Sequence, residues 1–323
     1  MKIKSFKLNQ DKESSATVTA YLLANSAEML RGKRRPAIII NPGGGYFSCS
    51  DREAEPVAMY FASLGYQTFV LRYTTYSQSG LAMPDLSQPL PVNRASLFPR
   101  QLLELGQTML LVKAHVDEWY VDPDKIIVCG FSAGGHNAAL YATRWQDDLI
   151  AGPLNVEPEQ LRPAACIVGY PLTDYNLVQQ ELENKTNPMD IAFMKASNVA
   201  LLGEETPNKE LLDEVSPTEH ISTNTPPMFI WATATDPLGT ARQALRLADD
   251  LAQHKIDYEV HIFGEGGHGL SLSTQASAGA LSDVSDYVAQ WTSLCAKWLT
   301  ERFPIALPKL SAFEQMKLDN GKI

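Results

Sequence analysis

Short, almost wholly apolar runs alternate with amphipathic stretches along most of this chain. Pro36 to Ile40, Gln67 to Tyr73, Lys125 to Cys129, Ala164 to Val168, Met228 to Ala232 and Tyr258 to Phe263 read as strands. Arg52 to Leu64, Leu97 to Glu118, Ala241 to Gln253 and Ser282 to Arg302 carry helical spacing between or after them. Continuous apolar strands separated by helices predict an α/β fold: a mostly parallel central sheet with helices on both faces. Such a sheet puts its ligand site at the carboxyl ends of the strands. Ahead of this rhythm, Lys2 to Leu23 holds two strand-like segments, one of them Thr17 to Leu23, and predicts an antiparallel entry hairpin.

Two stretches break the rhythm. Thr74 to Pro99 is rich in Ser, Pro and Gln, and Asp174 to Pro217 is longer, with a helical piece from Met189 to Leu202. Both leave the sheet at its carboxyl edge and are expected to act as lid or specificity insertions, with plain surface insertions as the alternative. The polar tail from Pro304 to Ile323 is expected to pack on the surface or stay disordered. No repeat or linker divides the chain, so residues 1–323 read as a single domain.

Composition narrows the function classes. The chain has 323 residues, 45% of them hydrophobic, enough for a large core. A net charge of −10 disfavours nucleic acid as a partner. The four cysteines, Cys49, Cys129, Cys166 and Cys295, are scattered without a C-x-x-C, so neither a disulfide framework nor a metal site is expected. Cys129 and Cys166 lie in apolar runs and read as small buried hydrophobes. The first residues lack the apolar core of a secretory signal, and no apolar run approaches the ~18–20 residues that cross a bilayer. The expectation is a soluble cytoplasmic protein acting on a small molecule without a cofactor; a homo-oligomer stays open.

The chemistry is carried by Gly130-Phe131-Ser132-Ala133-Gly134, which follows an apolar strand and precedes a helix-forming run. That is the context of a nucleophile elbow, in which a serine sits on a strained turn at a strand's carboxyl end. A serine helix cap would look similar in isolation. A serine hydroxyl needs a base, usually a histidine oriented by a carboxylate. His115, His136, His220, His254 and His261 lie in helical, polar or strand stretches. Only His268, in Gly264-Glu265-Gly266-Gly267-His268-Gly269, occupies a flexible loop after the last strand. Asp236 ends the run Phe229 to Thr235 and is the expected acid; Asp174 and Glu265 are the alternatives. Asn41-Pro42-Gly43-Gly44-Gly45-Tyr46 follows an earlier strand and fits an oxyanion loop whose N–H groups bind a developing negative charge. A phosphate loop is disfavoured because no Lys-Ser/Thr follows the glycines. The expected donors are the amides of Gly44, Gly45 and Ala133; Tyr46, directly after the loop, is a candidate to line the substrate pocket, with a place in the core as the commoner alternative for such an aromatic.

Four blocks in order, PGGGY, VDPDKIIVCGFSAGGH, PPMFIWATATD and EVHIFGEGGHGL, resemble the α/β-hydrolase esterases that include acetylxylan esterases and the BD-FAE-like feruloyl/acetylxylan esterases. The resemblance covers roughly residues 35 to 300. It implies the α/β-hydrolase fold, Ser132, Asp236 and His268 as a triad, and Gly44, Gly45 and Ala133 as the oxyanion hole. It further implies hydrolysis of short acyl esters, often sugar acetates, without a metal. An amidase or small peptidase with the same triad is the alternative enzyme, and a binding protein on a hydrolase fold the alternative outside catalysis.

Overall fold

The computed structural model describes residues 1–8, 14–26, 28–77 and 83–321. Eight strands form one sheet: β1 (Lys2–Lys7), β2 (Thr17–Leu22), β3 (Arg35–Asn41), β4 (Gln67–Arg72), β5 (Val121–Phe131), β6 (Ala165–Gly169), β7 (Met228–Thr233) and β8 (Tyr258–Phe263). Their order across the sheet is β1-β2-β4-β3-β5-β6-β7-β8. The β1–β2 and β2–β4 pairs are antiparallel, and every later pairing is parallel. The fold is that of an α/β hydrolase.

Strand alternation divides the core into two layers. In β3, Ala37 and Ile39 join one layer while Ile38 and Ile40 join the other, and all four are fully buried. Each such isoleucine contributes about 1.5–3 kcal/mol relative to exposure. The first layer includes Leu102, Leu105 and Met109 of helix Arg100–Ala114, and Leu247 and Leu251 of helix Ala241–Gln253. The second includes Val57 and Phe61 of helix Glu55–Ser63, and Trp291, Cys295 and Trp298 of helix Gln290–Arg302. Helices therefore cover both faces.

Several boundaries differ from the sequence reading, each for a local reason. The helix expected from Leu97 begins at Arg100, because the residue before a proline is pushed out of the helical region and Pro99 enforces this on Phe98. It ends at Ala114, and Val116–Trp119 forms a separate turn. The helix expected from Ser282 begins only at Gln290. Asp283 Oδ2 instead accepts the amides of Gly279 and Ala280, both at 2.9 Å. The helix expected from Arg52 starts at Glu55; a 3-10 turn, Asp51–Glu53, precedes it and breaks at Ala54. The tail contains a helix, Ala312–Asp319, closed by a Ser311–Glu314 capping box.

The two insertions meet. Residues 78–82 of the first lie outside the described residues. Its carboxyl end packs on helix Pro188–Leu202 of the second: the Phe98 amide donates to Leu201 O at 2.8 Å and Ser96 Oγ to Ala200 O at 3.2 Å. Among the described residues, no helix is long and apolar enough to cross a membrane.

Candidate active site

The carboxyl ends of β3, β5, β7 and β8 lead respectively into the glycine loop, Ser132, Asp236 and His268. Ser132 stands between β5 and helix Ala133–Arg144 with φ 51° and ψ −123°. A non-glycine residue there costs on the order of 1–3 kcal/mol and persists only where its surroundings enforce it. The enforcing contacts are close. The Ser132 amide donates to Gly169 O at 3.0 Å, and Ser132 O accepts from the His136 amide at 2.8 Å. A Cβ on Gly130 would lie 2.1 Å from Gly134 O, and one on Gly134 would lie 2.1 Å from Asn41 O. Only glycine fits at either place, and the elbow is wedged against the start of the glycine loop.

Ser132 Oγ lies 2.7 Å from His268 Nε2, and His268 Nδ1 lies 2.7 Å from Asp236 Oδ2. A carboxylate only accepts, so Nδ1 carries the imidazole proton and Nε2 is left to accept from the serine. Asp236 Oδ1 accepts the amides of Leu238 at 2.8 Å and Gly239 at 3.0 Å, which fixes the carboxylate. The Asp236 side chain is wholly buried, and that of His268 is 17% exposed. Burial alone would push the imidazole pKa down. The charge and hydrogen bond of Asp236, with the charge of Glu53 behind them, outweigh it and hold the pKa above the ordinary 6.5.

The other candidates serve elsewhere. Asp174 caps helix Tyr175–Glu183, accepting the Leu177 amide at 2.9 Å. Glu265 is exposed. His115 stacks on Trp119 at 4.3 Å, His254 bonds Asp250 O at 2.8 Å, and His261 pairs with Glu259 at 2.8 Å. His220 faces the carbonyls of Asp213 and Glu214.

The glycine loop is held from several sides. Tyr73 donates to Pro42 O at 2.6 Å, the Gly43 amide donates to Glu53 Oε2 at 2.7 Å, and Ser197 Oγ donates to Gly45 O at 3.0 Å. Gly44 and Gly45 take φ of 132° and 61°, which glycine adopts freely. Among the described residues, the amides of Gly44, Gly45 and Ala133 have no protein acceptor, whereas that of Gly43 is taken by Glu53. The second insertion covers this loop, with Phe193 edge-on to Phe47 at 5.4 Å.

Of the two places open to Tyr46, the structure gives the core. Its side chain is 1% exposed and its hydroxyl bonds His136 Nδ1, so it is not an open pocket wall. His136 Nε2 donates to Val215 O at 2.7 Å, which leaves Nδ1 to accept from Tyr46. Burial lowers the His136 pKa to about 4, so the imidazole is neutral. Tyr46 thus props the glycine loop on the elbow helix. Glu53 and Tyr170, joined by a 2.6 Å hydrogen bond beside the site, escaped sequence reasoning altogether. An acidic residue at a helix start reads as ordinary dipole compensation. Among the described residues, no group of His, Cys, Asp and Glu could hold a metal ion.

The BD-FAE family model matches residues 27–251. The chain belongs to the BD-FAE family. The carboxylesterase Cest-2923 from Lactobacillus plantarum WCFS1 superposes with a TM-score of 0.75 at 27% identity, over 95% of this chain and 99% of that one. An acetyl ester-xyloside bifunctional hydrolase from Caldicellulosiruptor lactoaceticus superposes with a TM-score of 0.70 at 28% identity, over 94% and 97% of the two chains. Endo-1,4-beta-xylanase B of Butyrivibrio fibrisolvens is 26% identical over 240 residues, covering 74% of this chain but 33% of that protein. This BD-FAE member spans less than half the length of the curated relatives it matches.

Proposed function

We propose that this chain is a serine carboxylesterase acting on short acyl esters, acetyl esters of sugars among them, through an acyl-enzyme. One observation carries the reading: the unbroken Ser132–His268–Asp236 hydrogen-bond chain at a strained elbow. His268 Nε2 takes the Ser132 proton as Oγ attacks the ester carbonyl. The oxyanion is met by the amides of Gly44, Gly45 and Ala133, each worth about 3 kcal/mol to the transition state. His268 then gives its proton to the departing alcohol oxygen as the tetrahedral intermediate collapses. Water, deprotonated by the same imidazole, attacks the acyl-enzyme; the acid leaves and Ser132 is restored. Asp236 stabilises the imidazolium in both halves without taking its proton. The acetyl-sugar part of the reading draws on the bifunctional relative, whose name joins an acetyl ester to a xyloside.

Hydrolysis of p-nitrophenyl acetate, butyrate and octanoate, beside acetylated xylo-oligosaccharides, tests this with Ser132→Ala as control. Ser132-dependent release from acetyl esters and sugar acetates is the expected result. Release from simple esters alone would leave a general esterase. Activity retained in Ser132→Ala would refute the mechanism.

A further inference from the structure

Glu53 is a buried carboxylate that the triad chemistry does not use. It ends the 3-10 turn Asp51–Glu53, and its two oxygens face two parts of the site. Oε2 accepts the Gly43 amide at 2.7 Å, and Oε1 accepts the Tyr170 hydroxyl at 2.6 Å. Tyr170 Oη in turn accepts the Ser271 amide at 2.9 Å, three residues beyond His268. Ser271 Oγ donates back to Arg52 O at 2.6 Å. Arg52 donates to Ser277 O at 2.8 Å and pairs with Asp283 at 3.0 Å. One short turn therefore grips both the glycine loop and the segment carrying His268. The Tyr170 ring meets the His268 ring edge to face, with centroids 5.1 Å apart.

Burying a carboxylate is costly and is not needed merely to brace a loop, since a neutral acceptor would also serve. What a carboxylate supplies beyond a neutral group is two accepting oxygens and a charge. We propose that Glu53 is a positioning residue for the hydrolysis: it fixes Gly43 so that the next two amides stay turned toward the oxyanion, and it sets a second negative charge behind the His268 imidazolium. This rests on the serine-esterase reading above.

Burial raises the Glu53 carboxyl above the ordinary carboxylate range, and the Tyr170 and Gly43 hydrogen bonds with the His268 and Arg52 charges offset only part of that rise. The titratable groups facing it are His268, Arg52, Tyr170, Tyr73, Cys49 and Cys129. Burial raises the tyrosines and cysteines among these, so they stay neutral through the working range. His268 is faced by Asp236, Glu53 and Ser132.

The test is kcat and KM on p-nitrophenyl acetate against pH for Glu53→Gln and Tyr170→Phe in the full chain, with thermal melts and Ser132→Ala as control. Glutamine keeps the shape but offers one acceptor and no charge. In Glu53→Gln, kcat should fall about 10-fold or more with KM within about threefold, the mark of an interaction made in the transition state. The acid limb of kcat/KM should move to lower pH, a shift that a merely structural residue would not produce. Tyr170→Phe should lower kcat about threefold or more at unchanged KM by freeing Ser271. A folded Glu53→Gln with wild-type kcat and an unmoved acid limb overturns the proposal. If Glu53→Gln does not fold, wild-type kcat in Tyr170→Phe overturns it. Activity retained in Ser132→Ala would sink the esterase reading instead, whereas a dead Ser132→Ala beside an unaffected Glu53→Gln sinks this inference alone.

Discussion

Replacing Asp236 with asparagine exchanges one oxygen for an NH2 group, and the contacts already present dictate where that group goes. Oδ1 accepts two amides, from Leu238 at 2.8 Å and Gly239 at 3.0 Å, while Oδ2 accepts one proton, from His268 Nδ1 at 2.7 Å. The asparagine oxygen keeps the two-donor side, because the reverse placement would set an NH2 against two N–H groups. The new NH2 therefore faces His268 Nδ1, which must give up its proton and accept. The imidazole proton moves to Nε2 and points at Ser132 Oγ across the 2.7 Å contact. In that tautomer the ring donates to the serine and cannot take its proton. All three hydrogen bonds at residue 236 survive, so the melting temperature should change little. The loss is in catalysis: about 10⁴-fold in kcat for the equivalent change in a Ser-His-Asp triad, or about 5.5 kcal/mol at 1.36 kcal/mol per decade. Steady-state hydrolysis of p-nitrophenyl acetate by Asp236→Asn, beside its thermal melt, provides the assay. A folded variant within 10-fold of wild type would refute the tautomer argument and with it the role given to Asp236.

Three further outcomes are expected. Because His268 titrates above 6.5 and only its neutral form accepts the serine proton, kcat/KM should fall as pH drops through a midpoint above 6.5; a pH–rate profile reads it directly, and a lower midpoint contradicts the charge balance at the imidazole. Tyr46→Phe leaves His136 Nδ1 buried without a donor and should cost about 1–3 kcal/mol in denaturant unfolding while KM stays near wild type; a large KM change with intact stability would return Tyr46 to the substrate pocket. Gly134→Ala puts a Cβ 2.1 Å from Asn41 O and should destabilise the fold by about 1–3 kcal/mol and remove activity; a wild-type melt and rate would show that the elbow and the glycine loop are not wedged.

What could be read from the sequence is what depends on neighbours along the chain. The apolar runs predict the parallel strands, and Ser132, Asp236 and His268 stand out because each follows such a run closely. The helix starts are harder. The first turn before Glu55 looks helical by spacing, yet Glu53 is drawn inward by Gly43 and by Tyr170, which is 117 residues away. Tyr46 shows the same limit from the other side. An aromatic after a glycine loop fits a pocket wall or a core prop equally well, and the decision belongs to His136, 90 residues on. Long-range polar pairs between single residues leave no periodicity, so patterning cannot find them.

Those pairs also explain how the strain at Ser132 can persist. Its φ of 51° would relax if the turn could open, but opening needs room on both sides of the elbow. On one side the Ser132 amide is bonded to Gly169 O of β6. On the other, Gly134 lies so close to the carbonyls of Asn41 and Pro42 that no Cβ fits between them. Relaxing the serine would thus push on the glycine loop, which Glu53, Tyr73 and Ser197 hold in place by hydrogen bonds. Ser132 and the nearby amides of Gly44, Gly45 and Ala133 are one mechanical unit. The backbone of β3 and β5 sets its geometry, and the buried polar side chains keep that geometry from drifting.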